Sequence, residues 1–141
     1  MTIAEFLLAR ITEDEEAAQA AAEAARTAPS NDLSDRWEAM VVHSDSGKPF
    51  GVIAGAPVQA TRPTAFAHTV EHIARHDPAR VLADCEAKRR IVEELALPYI
   101  AERRRLMNGQ PSWEDEHPDL LRLLALPYAD HPDYREEWRS A

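Results

Sequence analysis

Leu120-Leu-Arg-Leu-Leu-Ala-Leu-Pro-Tyr-Ala-Asp-His-Pro-Asp-Tyr-Arg-Glu-Glu-Trp138 packs apolar, aromatic and turn residues into a region where chains usually fray. Leu120, Leu121, Leu123, Leu124 and Leu126 can cover a helix face. Pro127, Pro132 and the Asp130-His-Pro-Asp133 turn redirect the backbone, so that Tyr128, Tyr134 and Trp138 fold back onto it. The stretch predicts a segment that closes a helical bundle. Tyr, Trp and Arg also dominate interface energetics, which makes Tyr128, Tyr134 and Trp138 candidate partner-binding residues.

Upstream of this segment, Asp77-Pro78 reads as an N-cap followed by proline at the first helical position, and it starts a long helix. Val81, Cys85, Val92, Leu95, Tyr99 and Leu106 follow it at three- and four-residue spacing, a seam suited to packing along another helix. Pro98 lacks the N–H that would bond to Glu94, which predicts a kink or break between Glu94 and Leu97. Asn108-Gly109 supplies the stop. Leu95-Ala-Leu-Pro-Tyr99 recurs as Leu124-Ala-Leu-Pro-Tyr128. A single five-residue echo is no repeat architecture, and both copies read as apolar helix ends stopped by proline.

The other helix of the seam is the N-terminal one. Thr2-Ile-Ala-Glu5 has capping-box spacing. Ile3, Phe6, Leu7 and Ile11 recur at helical intervals, and an alanine-rich run carries the helix to Pro29, Ser30 and Asn31. Trp37-Glu-Ala-Met-Val-Val-His43 and Phe50-Gly-Val-Ile-Ala54 flank the turn-rich Ser44-Asp-Ser-Gly-Lys-Pro49, which predicts a β-hairpin. A hairpin alone is marginal in water, so it must lie on the helices or pair its edge with another chain. Phe66, Val70 and Ile73 mark a short helix starting near Thr61 to Thr64. The expected fold is α+β and mainly α: long N-terminal helix, β-hairpin, short helix, long kinked helix and folded-back C-terminal helical segment.

The 141 residues fit a single domain over 1–141 that buries roughly two thirds of its unfolded surface. Hydrophobic residues make up 45% but aromatic residues only 6%, as suits a thin helical core. A net charge of -9, from 25 acidic and 16 basic residues, argues against nonspecific nucleic-acid binding. A lone Cys85 excludes an intramolecular disulfide framework and multi-cysteine zinc sites. Its place on the apolar seam predicts a buried, inert thiol. Met1 to Ile11 runs into Glu13-Asp14-Glu15-Glu16 rather than a cleavage site, and no apolar run is long enough to span a bilayer. A soluble, cytoplasmic protein without membrane attachment is expected.

Chemistry-bearing residues are sparse. His68, His72 and His76 lie four apart on the short helix, where neighbours can share an ion, but the outer pair is separated by about 12 Å. They fall roughly 80° to 160° from the apolar face, along a polar flank. His72 and His76 with Asp77 form the candidate divalent-metal set, or the two histidines with a carboxylate brought from the acidic Trp113-Glu-Asp-Glu-His117 loop. Asp77 is also needed as a cap. Lys88-Arg89-Arg90 and Arg103-Arg104-Arg105 are the dense basic clusters. Arg103, Arg104 and Arg105 form a candidate nucleic-acid patch, although Glu86, Glu93, Glu94 and Glu102 are spaced to neutralise the arginines along the helix. No His-Glu-x-x-His motif and no nucleophile elbow is present.

The motifs His72-Ile-Ala-Arg-His-Asp-Pro-Ala-Arg-Val-Leu82 and Glu86-Ala-Lys-Arg-Arg-Ile91, with the Leu120–Trp138 stretch, resemble a family of small uncharacterised proteins of actinobacteria and their phages. The resemblance covers residues 72 to 91 and 120 to 138 well, and the N-terminal helix and Trp-containing hairpin more loosely. It implies an intracellular protein of about this length with no established reaction, ligand or cofactor. Many relatives carry cysteines just before the Leu-rich motif, implying a small metal-binding loop. Here Met107-Asn-Gly-Gln-Pro-Ser-Trp-Glu-Asp-Glu-His-Pro118 has none, so that loop does not carry over.

The sequence thus favours a non-catalytic interaction or regulatory module without a cofactor, binding a protein partner or a second copy through the tail and the hairpin edge. A metal-dependent enzyme using the His/Asp cluster and a nucleic-acid binder using the arginines are the alternatives.

Overall fold

A computed structural model describes residues 1–27, 37–43, 49–54 and 67–139, with side chains for 1–26, 37–38 and 71–139. In chain order the elements are helix α1 (Ile3–Thr27), strands β1 (Glu38–His43) and β2 (Pro49–Ala54), then helices α2 (Ala67–Ala74) and α3 (Pro78–Arg90). A π-helical segment (Ile91–Ala96) follows, then helices α4 (Leu97–Leu106), α5 (Trp113–Glu116) and α6 (Asp119–Ala125). Short 3-10 turns at Leu126–Tyr128 and Glu136–Trp138 complete the chain. Two compact units contain these elements, residues 1–13 with 85–141 and residues 14–84.

In the unit of residues 14–84, β1 and β2 pair antiparallel in a register from Glu38 opposite Ala54 to His43 opposite Pro49. Helix α2 packs on both strands. Asp77 caps α3: its Oδ1 accepts from the Arg80 N–H at 2.7 Å and its Oδ2 from the Trp37 N–H at 3.4 Å. The α+β expectation is corrected to a helical fold: helices account for most of the described residues, and the two described strands pair only with each other. The anticipated turn over Ser44 to Lys48 and the helix start near Thr61 to Thr64 lie outside the described residues, as do the side chains of Phe66, His68 and Val70.

In the unit of residues 1–13 and 85–141, α1 begins at a capping box. The Thr2 N–H donates to Glu5 at 2.7 Å, and the Glu5 N–H donates to the Thr2 hydroxyl at 3.2 Å. Ile3, Phe6, Leu7 and Ile11 are buried along one helical stripe, and the core adds Cys85, Val92, Ala96, Leu121, Ala125 and Trp138. Asn108, at φ 52°, and Gly109, at φ 81°, end α4; the Gly109 N–H reaches back to the Arg104 carbonyl at 2.8 Å. The chain reverses there and Ser112 starts α5.

The expected break near Pro98 takes another form. Leu97 donates its N–H to the Val92 carbonyl, five residues back, and the wider turn keeps the helical run unbroken from Pro78 to Leu106. This wider turn also corrects the predicted seam. Cys85 and Val92 face the core, but the buried face then passes to Ala96, while Leu95, Tyr99 and Leu106 are exposed. One additional residue in the turn moves every later position around the helix axis.

Candidate functional site

The Phe6 ring is the centre around which the tail closes. Tyr128, His131, Tyr134 and Trp138 place their rings 6.3, 5.7, 6.0 and 5.1 Å from it, the first three edge-on. Such edge contacts suit the ring quadrupoles as well as burying area. Phe6 and Trp138 are wholly buried. Arg10, only 8% exposed, lies over Phe6 at 5.4 Å, sets its Nη1 against the His131 ring and donates Nη2 to Glu13 at 2.6 Å. The imidazole and the carboxylate face its Nη1 and Nη2, which offsets part of the cost of burying this charge, while its buried Nε has no hydrogen-bond partner among the described residues.

Arg122 latches the end of the same segment. Its Nε donates to the Trp138 carbonyl at 3.3 Å, its Nη2 to the Arg139 carbonyl at 3.0 Å, and its Nη1 to Asp119 at 3.0 Å, while its guanidinium covers the Trp113 ring at 4.9 Å. Of the residues expected to meet a partner, Trp138 has no free surface, and Tyr128 and Tyr134 are half-buried against α1. Arg10 and Arg122 escaped the sequence reading. Their signal was placement: each is a single arginine inside an apolar run, Ala9-Arg10-Ile11 and Leu121-Arg122-Leu123.

The basic cluster is matched by carboxylates. Arg103 pairs with Asp115 at 2.5 Å, Arg104 with Glu116 at 2.8 Å and Arg105 with Glu102 at 2.7 Å. Hydrogen bonding from Arg103 holds the Asp115 carboxyl below its ordinary range, against the opposing effect of desolvation, and Ser112 adds to the lowering through its backbone and side chain. Asp115 in turn completes a capping box: its Oδ2 accepts from the Ser112 N–H at 3.1 Å, while its own N–H donates to the Ser112 hydroxyl at 3.2 Å. Arg105 lowers Glu102 in the same way.

His72 and His76 bring their rings to 4.6 Å, but the His76 Nδ1–H is turned onto the His72 carbonyl at 2.9 Å. Asp77 has both carboxylate oxygens committed to backbone N–H groups. Among the described residues no three His, Cys, Asp or Glu side chains are grouped to hold a metal ion. Cys85 is buried.

Large apolar side chains stand exposed on the π-helical segment and the turn after it. Leu95 is 60% exposed and Tyr99 48% exposed. On one side Leu95 borders a depression of about 270 Å³ formed with Ala96, Tyr99, Pro118 and Leu120. On the other it borders one of about 380 Å³ formed with Ala87, Arg90, Ile91 and Glu94. A protruding aliphatic side chain thus stands between two hollows.

The family model described as a family of unknown function (DUF6221) matches residues 1–140. The chain belongs to that family. No curated protein and no solved structure matches it. In this DUF6221 protein the aromatic tail and its two arginines build a closed core, and the Leu95 face offers contact surface. Among the described residues, no helix is long and apolar enough to cross a membrane.

Proposed function

We propose that this DUF6221 protein is a non-catalytic interaction module that pairs with a second copy of itself through the Leu95 face, in the cytoplasm of an actinobacterial or phage-infected cell. The observation that carries the reading is the exposed Leu95 flanked by two depressions. A two-fold contact requires one patch that is complementary to itself, and a knob between two hollows meets that requirement: each Leu95 enters a hollow of the other copy.

Ala87, Ile91, Leu95 and Tyr99 extend the contact over about 18 Å of helix. Complete burial of one leucine is worth about 1.5 to 3 kcal/mol, so several such side chains supply a useful driving force. Tyr128, Tyr134 and Trp138 contribute from within, by holding α6 and with it Leu120 beside Tyr99. The self-association anticipated from the sequence therefore moves from the tail's rings to the helix that the tail secures.

Sedimentation velocity over a concentration series tests this, with wild type beside Leu95→Arg. The wild type should shift towards a dimer as concentration rises, and the variant should stay monomeric with an unchanged thermal midpoint. A wild type that is monomeric throughout, or a variant that dimerises equally well, would refute the proposal.

A further inference from the structure

The turn that ends α4 carries chemistry of its own. Met107 is the C-cap residue, and Asn108 and Gly109 follow it in left-handed backbone at φ 52° and 81°. The Asn108 N–H donates to the Arg105 carbonyl at 3.3 Å and the Gly109 N–H to the Arg104 carbonyl at 2.8 Å. This is the Schellman arrangement, which asparagine enters more readily than other residues that carry a side chain. Asn108 and Gly109 are both exposed, and a Cβ built on Gly109 would meet no atom within 4 Å, so water reaches the pair freely.

Asn108-Gly109 is the one Asn-Gly pair of the chain. In such a pair the glycine nitrogen, shielded by no side chain of its own, is able to attack the asparagine side-chain carbon. A bond forms between Gly109 N and Asn108 Cγ, the bond from Cγ to the side-chain nitrogen breaks, and ammonia leaves with the hydrogen that Gly109 N gives up. Water then opens the five-membered ring at one carbonyl or the other, giving aspartate or isoaspartate with no oxidation or reduction. The closed cap opposes this reaction twice. The hydrogen that Gly109 N must lose is held by the Arg104 carbonyl, and ring closure requires Asn108 to rotate about its Cα–C bond out of the left-handed well, which carries Gly109 N off that carbonyl.

We propose that Asn108 is a site of spontaneous deamidation gated by this cap: the pair is inert while the turn is closed, and each opening exposes it to one-way conversion. Isoaspartate routes the chain through Cβ and adds one atom to the backbone, so the Gly109 N–H no longer meets the Arg104 carbonyl. The same turn reverses the chain and brings Asp115 to Arg103 and Glu116 to Arg104, and both pairs loosen with it. A converted chain keeps a permanent record of having opened here. The inference is independent of self-association through Leu95.

The test is peptide-level mass spectrometry of the full chain aged in neutral buffer, native beside the same chain in guanidinium chloride, with hydrogen exchange of the Gly109 amide measured on fresh native protein. Conversion at Asn108 should be at least about tenfold slower in the native chain, as follows when the reaction waits on an opening populated less than about a tenth of the time. The slowing should be of the same order as the exchange protection of the Gly109 amide. Asn108→Gly keeps the left-handed cap but has no side chain to cyclise, and it should fold as the wild type does and show no conversion. The isolated isoaspartyl chain should unfold at a lower temperature than Asn108→Asp, which carries the same charge on an unaltered backbone. Equal conversion in native and denatured chains, no conversion in the denatured chain, a Gly109 amide that exchanges as fast as an unstructured one, or an isoaspartyl chain as stable as Asn108→Asp would each overturn the proposal.

Discussion

Phe6 and Trp138 meet with ring centroids 5.1 Å apart, and neither has any exposed surface. The first turns of α1 and the tail are therefore one packing unit. Trp138→Ala should lose about 3 to 5 kcal/mol of stability, the cost of emptying a buried aromatic site. Urea unfolding followed by far-UV circular dichroism measures it, and a loss below 1 kcal/mol, roughly the scale of a surface change, would deny the tail its place in the core.

Tyr134 lies against the same ring, yet its buried hydroxyl has no hydrogen-bond partner among the described residues. Removing an unsatisfied buried donor avoids its desolvation cost while the ring contacts stay. Tyr134→Phe should accordingly be neutral or stabilising by up to about 1 kcal/mol. A marked fall in the unfolding midpoint would show that the hydroxyl is bonded in solution.

Arg122 holds two carbonyls at the end of the tail. Arg122→Ala should cost about 1 to 3 kcal/mol and expose the segment after Asp133 to protease before the rest of the chain unfolds. Arg122→Lys should recover little, because a single ammonium cannot reproduce a planar fork spanning both carbonyls and Asp119. Limited proteolysis read by mass spectrometry distinguishes a loosened tail from global unfolding.

The lowered Asp115 carboxyl sets a pH dependence. Because its pKa is depressed on folding, its contribution is fully present above the unfolded value and is lost as pH falls through the folded one. Asp115→Asn should be less stable than wild type at neutral pH, and the gap should narrow as the solution is acidified below the ordinary aspartate range. A gap that stays constant with pH, in denaturant titrations across that range, would separate the loss from the Arg103 charge pair.

Asp77 serves as a helix cap. Asp77→Ala should cost about 1 kcal/mol, and Asp77→Ser should restore most of it by supplying another oxygen to the Arg80 N–H. Failure of the serine variant to recover the thermal midpoint would mean that the carboxylate's charge, and not its capping oxygen, is what the site needs.

The parts legible in the sequence are governed by local rules. Thr2 and Glu5 cap α1, Asp77 caps α3, Asn108 and Gly109 stop α4, and Cys85 is buried, each as its neighbours demand. Arg90 with Glu94 and Arg105 with Glu102 pair along their helix as charge spacing suggests. Arg103 does not: its partner Asp115 arrives only because the chain reverses after Gly109, which periodicity along one helix cannot foretell. The roles of Arg10 and Arg122 were hidden because an arginine in an apolar run is assigned by default to solvent. An unbroken α-helical period puts Leu95 and Tyr99 in the core, and the wider turn at Ile91–Ala96 carries no sequence signal that this period would detect. The class was misjudged by giving two strand-favouring segments the weight of a layer.

The π-helical turn at Ile91–Ala96 acts as a phase shifter. One residue corresponds to about 100° of rotation on an α-helix, so deleting a single residue from this turn would swing α4 back by about that angle relative to α3. With one residue removed ahead of it, Leu95 would take the angular place of Glu94 and Leu97 that of Ala96, and Arg103 would be carried away from Asp115. The inward-facing stripe of this helix is thus set by the presence of one codon, and length variation in this turn among relatives would turn a different set of side chains towards the core without changing a single side chain elsewhere.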